Sequence, residues 1–185
     1  MVTKTFQWEW PRKQSTISDS QLGAFGCSHT WGVGVKHNEA WPWLLNSNNF
    51  GFVSGSTDFI SRNLIKVIDD FSLKKIYILY PSYTRFEYTV NNIIYQSLPT
   101  DRYRYQFREQ NSEEWLLNNH RKNKEYIKKV CLEKQVKLID FEFEYLHQFI
   151  DYPDRWPLAK DNMHYNHQWH KWVAEIFIQH EKTIQ

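Results

Sequence analysis

Cysteine is scarce in this chain, whose 185 residues include only Cys27 and Cys131. The two lie far apart and do not show the short paired spacing of a zinc site or the even, dense pattern of a disulfide-stapled secreted domain. We therefore expect a reduced, intracellular chain with no structural metal and no cofactor.

Long apolar runs are also missing. No stretch approaches the ~20 apolar residues that a membrane-spanning helix requires. The first residues, MVTKTFQWEWPRK, lack the apolar segment of a signal peptide. A cytoplasmic protein without membrane contact is the expectation, and association with a virion is the alternative left open.

Charge of one sign is missing as well, since the formal net charge is only +2. Such a balance gives no electrostatic reason to expect nucleic acid as a partner. The one basic run, NNHRKNKEYIKK at 118–129, falls on a predicted helix and is interpreted as its solvated face. The oligomeric state stays open.

Aromatic residues, by contrast, are abundant, at 17% of the chain with nine tryptophans. Flat aromatic faces stack on sugar rings, so a carbohydrate-binding surface is one interpretation. A core rich in aromatic side chains is the other, and we favour it.

Hydrophobic patterning predicts alternating strands and helices. Strands are predicted at 21–26, 49–55, 74–81 and 135–143, and helices at 39–47, 56–71, 112–134 and 167–180. The intervening polar and aromatic stretch at 82–110 is expected to be a functional loop or to contain structure that the pattern does not show.

Alternation of this kind favours an α/β fold, a three-layer α/β/α sandwich around a mostly parallel sheet. We expect a single domain over 1–185, with an N-terminal extension at 1–20. Open parallel sheets bind ligands at the carboxyl ends of their strands. Ser28 follows the first predicted strand, and Ser82 and Arg85 follow the third.

Ser28 lies in the segment GAFGCSHTWGVG, between glycines that permit a tight turn. A serine hydroxyl needs a base within reach before it becomes a nucleophile, and that base needs an orienting group. The tail of the chain, DNMHYNHQWH, supplies both: Asp161 precedes His164 by three residues at the predicted start of the last helix. A hydroxyl, an imidazole and a carboxylate define a catalytic triad by role, whatever their order along the chain.

Three segments of the chain resemble the SGNH (GDSL-type) hydrolases. FGCSHTWGVG resembles their first block, NFGFVSGST at 49–57 their second, and DNMHYNHQWHKWVAEIF their last; together they cover about 21–180. The resemblance implies a flavodoxin-like α/β/α sandwich. It also implies that Ser28 is the nucleophile, His164 the base and Asp161 its orienting carboxylate. The backbone N–H groups of Ser28 and Gly55 would then bind the oxyanion.

The chain departs from that family pattern in two places. Cys27 occupies the position of the Asp that precedes the nucleophile. No G-x-N-D block follows the third strand, where the chain instead has YPSYTRFEY, so the family's Asn donor has no counterpart. Arg85 and Ser82 are the nearest candidates to contact an anion or substrate there, and we add His29 and Trp31 to the candidate substrate-binding residues.

Several residues have simpler interpretations. Ser28 and Asp161 could each cap a helix. His164, His167 and His170 recur at intervals of three residues, but on a helix this spacing does not converge on a metal. His29 is a candidate base and Cys27 a candidate nucleophile, both less favoured than His164 and Ser28. Arg85 and Glu87 could form an exposed pair of little energetic weight. His170 is expected to pack beneath the site.

The predicted function is that of a serine esterase or deacylase acting on a small-molecule or carbohydrate ester, with an O-acetylated sugar as first candidate. A catalytically weak or inactive glycan-binding or virion-associated protein of the same fold is the first alternative. An O-acyltransferase is the second.

Overall fold

The computed structural model describes residues 20–90, 93–96, 112–148 and 156–183. The predicted N-terminal extension therefore lies outside the described residues except for Ser20. The strands are β1 (Leu22–Gly26), β2 (Asn48–Gly51), β3 (Lys75–Tyr80), β4 (Glu87–Val90), β5 (Ile93–Gln96) and β6 (Lys137–Glu142). The helices are α1 (Ser28–Trp31), α2 (Trp41–Leu44), α3 (Thr57–Asp70), α4 (Glu113–Glu133) and α5 (His167–Thr183).

Four of the strands form one parallel sheet in the order β2-β1-β3-β6. At its carboxyl edge Gly26 pairs with Gly51, and Tyr80 pairs with Glu142. The segments that follow these four strands therefore leave the sheet at the same edge. The predicted parallel sheet is confirmed, and its carboxyl edge is where the predicted site residues must be sought.

Helices cover both faces of this sheet, which gives the predicted three-layer α/β arrangement. One apolar cluster joins the sheet to α3 and α4 through residues that include Phe25, Ile60, Leu64, Ile76, Ile127 and Val130. The other joins it to α2 and α5 through residues that include Ala24, Trp41, Leu79, Trp169, Val173 and Phe177. Both faces of a parallel sheet must be covered in this way, because its strands are apolar on both sides.

The sequence around α3 explains why this helix begins and packs where it does. Ser56 is the N-cap, and its hydroxyl accepts a hydrogen bond from the Phe59 N–H at 3.2 Å. Ile60, Leu64 and Val67 then recur at helical spacing and are at most 1% exposed. The predicted helix at 56–71 with Ser56 or Thr57 as cap is thus confirmed, and Ser56 is the cap.

The aromatic residues divide between core and surface. Trp41 and Trp169 are fully buried, and the Trp41 ring stacks on Phe177 with 4.9 Å between centroids. Trp43 and Trp115 are 37% and 39% exposed. The aromatic core that the composition favoured is therefore present, and it lies chiefly beneath α5.

Three predicted elements differ from the structure. The second strand ends at Gly51, because 52–55 turns back towards β1. The helix predicted at 39–47 is a 3-10 turn at His37–Glu39 followed by the single turn of α2, since Ala40 between them is extended. The stretch at 82–110 contains the antiparallel hairpin of β4 and β5, and its part at 97–110 lies outside the described residues.

In the part of the chain that the structure describes, no helix has both the length and the apolar character needed to cross a bilayer.

Candidate active site

Ser28 lies at the carboxyl edge of the sheet, at the point where β1 gives way to α1. Gly26 ends the strand with φ +157°, and a Cβ there would lie 2.1 Å from Thr30 Oγ1. Only glycine allows this close approach of the strand end to the helix that follows. Ser28 is the first residue of α1 and is 4% exposed. Because the first N–H groups of a helix have no acceptor within it, the Ser28 N–H points out of the helix start.

Asn49 on β2 holds the other end of α1 and is not among the residues predicted from the sequence. Its side-chain amide donates to the carbonyl oxygens of Thr30 at 2.9 Å and Trp31 at 3.3 Å, and its Oδ1 accepts from the Gly51 N–H at 2.9 Å. An amide in an otherwise apolar predicted strand was the available signal. Trp31, a predicted substrate-binding residue, is 8% exposed at this same junction.

Asp161 and His164 form the predicted carboxylate–imidazole pair. Oδ2 of Asp161 lies 2.5 Å from Nδ1 of His164, while Oδ1 accepts the backbone N–H groups of Met163 at 3.1 Å and His164 at 3.0 Å. Nδ1 of His164 is therefore the nitrogen that faces the carboxylate, and Nε2 is left for a second partner.

Opposing effects set the charge of this carboxylate. Burial raises the pKa of Asp161, but the hydrogen bonds from the backbone and ring of His164 and from the backbone of Met163 outweigh it and lower the pKa to about 2. Asp161 is therefore ionised at neutral pH and can stabilise a proton on the His164 ring.

The local structure around this pair differs from the predicted one. Helix α5 begins only at His167, so Asp161 and His164 lie in the turn that precedes it, and Asp161 does not cap the helix. The His164 carbonyl accepts from the Ala159 N–H at 2.7 Å, which closes this segment on itself. Asp161 can reach the His164 ring across three residues because its Oδ1 binds the backbone of the turn while its Oδ2 binds the ring.

His170 is fully buried on α5, as expected of a residue beneath the site, and its Nδ1 accepts from the Trp41 N–H at 3.3 Å. Desolvation, followed by the neighbouring His164 and His167, lowers the pKa of His170 to about 3. Among the described residues, no group of three or more His, Cys, Asp or Glu side chains is arranged to hold a metal ion.

His29, the neighbour of Ser28, brings α1 and the His164 segment together. Its ring centroid lies 5.0 Å from that of His164 and 4.8 Å from that of Phe143. Burial, with the nearby His164 and Arg85, holds the pKa of His29 well below its ordinary value. A neutral His29 can lie beside His164 without opposing its protonation. Cys27 Sγ lies 3.8 Å from Nδ1 of His29 and is buried.

The loop after α1 also contacts the Asp161 segment. A Cβ on Gly34, whose φ is +86°, would lie 2.6 Å from the Ala159 Cβ and 3.3 Å from Asp161 Oδ1.

The Ser28 hydroxyl is not hydrogen-bonded to His164 in this structure. Its Oγ makes no hydrogen bond to any described residue. Neither Ser28 Oγ nor Nε2 of His164 is among the buried polar atoms that lack a partner. Catalytic hydrogen bonds in ligand-free enzymes are often long and tighten only around the substrate.

The backbone of the turn at 52–55 lies against the end of β1. The Phe52 N–H donates to the Gly26 carbonyl at 3.0 Å, and the Gly55 N–H donates to the Phe52 carbonyl at 2.8 Å. The N–H that the family resemblance assigned to the oxyanion is thus used within the turn. An oxyanion near Ser28 would have to share it with Phe52.

Ser82 and Arg85 lie beyond β3 at the same edge of the sheet. The Ser82 hydroxyl donates to Glu144, which follows β6, and lies 2.9 Å from Thr84 Oγ1. The Arg85 N–H donates to the Ser82 carbonyl at 2.9 Å. The exposed Arg85–Glu87 pair that the sequence allowed is not formed, because Glu87 instead makes a two-point ion pair with Arg62, at 2.8 and 3.0 Å.

No protein-family model matches the chain, and no curated protein sequence matches it either. Among solved structures, it is similar to the psychrotrophic esterase EstA from Pseudoalteromonas sp., at TM-score 0.42 and 11% identity over 89% of this chain and 98% of that one. It is also similar to LAE5, an alpha/beta hydrolase enzyme from the metagenome of Lake Arreo, Spain, at TM-score 0.40 and 14% identity over 89% of this chain and 96% of that one. Similarity this low does not establish a family.

Proposed function

We propose that the protein is a serine hydrolase of the SGNH type, an esterase or deacylase that transfers an acyl group to Ser28 and then to water. The observation that carries the proposal is the Asp161–His164 pair, with 2.5 Å between carboxylate and ring. The ring of His164 contacts that of His29, the residue adjacent to Ser28. A hydroxyl at the end of β1 and an oriented imidazole thus belong to segments in contact.

The proposed reaction has two halves. Ser28 Oγ attacks the carbonyl carbon of the ester while Nε2 of His164 takes the hydroxyl proton, and Asp161 stabilises the imidazolium. Collapse of the tetrahedral intermediate breaks the bond to the alcohol, which leaves with the proton from His164. Water then attacks the acyl-enzyme, again giving its proton to His164, and the acid departs as Ser28 is restored.

The N–H groups of Ser28 and Gly55 are the proposed donors to the oxyanion. One such donor is worth about 2.7–4 kcal/mol of transition-state stabilisation in other serine hydrolases. Because the Gly55 N–H also bonds the Phe52 carbonyl at 2.8 Å, we expect slower chemistry than in an enzyme with three unshared donors.

Ser28 is only 4% exposed, so solvent access to its side chain is narrow. We propose an acetyl ester, with an O-acetylated carbohydrate as first candidate.

Hydrolysis of p-nitrophenyl acetate tests the proposal. The wild-type protein is expected to turn over the ester, and Ser28→Ala to reduce turnover to the level of buffer. Ser61→Ala is the matched control, because the Ser61 hydroxyl bonds Asp58 and Asn123 in the α3–α4 layer. Equal turnover by Ser28→Ala and wild type would refute the assignment.

One observation favours a second candidate, a catalytically weak or inactive glycan-binding protein on the same fold. The Gly55 N–H is engaged in its own turn, and no G-x-N-D block follows β3. This candidate predicts binding of an acetylated sugar with no release of acetate, which calorimetry together with an acetate assay would separate from hydrolysis.

A further inference from the structure

A second series of hydroxyl, imidazole and carboxylate groups lies on the α3–α4 side of the sheet, away from α5. Thr57 Oγ1 lies 2.8 Å from Nδ1 of His120, and Nε2 of His120 lies 3.0 Å from Oε2 of Glu142. Lys124, one helical turn beyond His120, forms an ion pair with the other Glu142 oxygen. We call these four residues the Thr57 relay. It connects the start of α3, the middle of α4 and the last residue of β6.

The Thr57 relay is not arranged as a second active site. The Thr57 hydroxyl is more buried than that of the proposed nucleophile, since Thr57 is 1% exposed and Ser28 4%. Glu142 is already neutralised by Lys124, whereas the described structure gives Asp161 no lysine or arginine partner. A carboxylate that is already paired with a cation stabilises a protonated imidazole less than an unpaired carboxylate does. The four residues therefore serve to fix the elements they join. In the neutral ring of His120, Nε2–H donates to Glu142 and Nδ1 accepts from the Thr57 hydroxyl.

The position that this series holds is the start of α3, next to the turn at 52–55. The backbone of Glu142 is held in place, since this residue pairs in register with Tyr80 at the sheet edge. Thr57 is two residues beyond Gly55, whose N–H closes the turn on Phe52. Phe52 in turn donates to the carbonyl of Gly26, two residues before Ser28. Hydrogen bonds, together with the short backbone link from Thr57 to Gly55, thus join β6 to the backbone beside the proposed nucleophile.

On the basis of the proposed function, we propose that Thr57 and His120 are positioning residues for acyl transfer. The Thr57 relay fixes the turn at 52–55 against Gly26. It thereby fixes the positions of the oxyanion donors, the N–H groups of Ser28 and Gly55. Apolar packing could fill the same space, but it is not directional, whereas hydrogen bonds fix both distance and angle. The desolvation of an ion pair and an imidazole costs free energy, so a site that only filled space would be served by apolar side chains.

Two substitutions at one position test the idea by amide hydrogen exchange. Thr57→Val removes the hydroxyl and keeps the branched shape, while Thr57→Ser keeps the hydroxyl. We expect the amides of Phe52 and Gly55 to exchange about tenfold faster in Thr57→Val than in Thr57→Ser, the equivalent of one lost hydrogen bond. The amides in the last two turns of α3 should be unchanged. Equal protection of Phe52 and Gly55 in both variants would overturn the proposal.

Kinetics with p-nitrophenyl acetate separate positioning from mere stability. We expect kcat to fall about tenfold in Thr57→Val with KM unchanged, as for a misplaced catalytic group, and Thr57→Ser to keep the wild-type kcat. A lower melting midpoint with an unchanged kcat overturns the positioning role. His120→Asn repeats both measurements should Thr57→Val not fold. If the wild type hydrolyses no ester, the proposed function fails, and the exchange contrast still decides whether the relay holds the turn.

Discussion

Asp161 serves two purposes with its two oxygens. Oδ1 accepts two backbone N–H groups and shapes the turn, while Oδ2 faces the ring of His164 at 2.5 Å. The division means that the turn and the ring orientation can be perturbed separately. It also explains how a spacing of three residues brings carboxylate and imidazole together without a helix.

Asp161→Asn tests the ring contact alone. The amide oxygen of the variant can still accept both backbone N–H groups, but its NH₂ group would face Nδ1 and favour the wrong tautomer. We expect kcat to fall by about 10⁴, as the equivalent change does in a serine protease. Steady-state kinetics give this number, and circular dichroism should show the wild-type fold. Retention of more than a tenth of the activity would remove Asp161 from the mechanism.

Some candidate site residues could be proposed from the sequence because their signals are local. Ser28 lies between glycines after an apolar strand, and Asp161 and His164 are near neighbours in the chain. Asn49 and His120 could not be found in this way. The carbonyl groups that Asn49 binds lie 18 and 19 residues before it in the chain. The two partners of His120 lie 22 and 63 residues from it. Only the folded chain therefore brings these groups together.

At the scale of elements, the four-residue helix α1 is too short to be stable by itself. It is held because Asn49 donates to its last two carbonyl oxygens and because Gly51 lets β2 approach closely. A Cβ on Gly51 would lie 2.3 Å from the Trp31 nitrogen. The orientation of Ser28 therefore depends on side chains of the neighbouring strand.

Asn49→Asp tests this clamp. The aspartate could still accept from Gly51 but would turn an oxygen towards the carbonyls of Thr30 and Trp31. We expect the free energy of unfolding to fall by about 2–4 kcal/mol, as for two lost hydrogen bonds and a buried unpaired charge. Urea denaturation measures it. Asn46→Asp makes the same chemical change at an exposed residue, and equal midpoints for the two variants would contradict the clamp.

At the scale of the whole molecule, two imidazoles near the carboxyl edge favour the neutral form: His170, which is fully buried, and His29, which is half-buried. His29 and His170 both have pKa values below the ordinary range, chiefly because burial disfavours the charged ring. The unfolded chain binds protons at these residues at higher pH than the folded chain does. Acid therefore stabilises the unfolded state, and the free energy of unfolding rises with pH between the two pKa values.

This linkage predicts a loss of stability on mild acidification. With a folded pKa of about 3 and an ordinary value of 6.5, His170 alone should reduce the free energy of unfolding by about 2 kcal/mol between about pH 7.5 and pH 5. Asp161, whose pKa is lowered to about 2, stays ionised throughout this window and does not contribute.

Urea denaturation of the wild type and His170→Asn at both pH values measures the difference. The asparagine keeps an acceptor for the Trp41 N–H but does not titrate. We expect a smaller loss of stability in the variant, and parallel losses in the two proteins would show that His170 is not the cause.

The layered fold could be predicted more fully than the site, because strand and helix periodicity is local and the rules for parallel connections leave few topologies. The hairpin of β4 and β5 was missed, since its strands have four residues each and lie in a polar, aromatic stretch. The end of β2 at Gly51 was missed because the turn at 52–55 keeps apolar residues, Phe52 and Val53, that continue the strand pattern.

Labelling with a fluorophosphonate, followed by mass spectrometry of the peptides, tests the central claim most directly. The oxygen of an activated serine attacks the phosphorus of the probe and displaces fluoride from it, whereas an ordinary buried serine does not react. The account predicts one phosphonyl adduct on the peptide that contains Ser28, and none there in Ser28→Ala. A wild-type protein that stays unlabelled, or an adduct that persists elsewhere in Ser28→Ala, would contradict it.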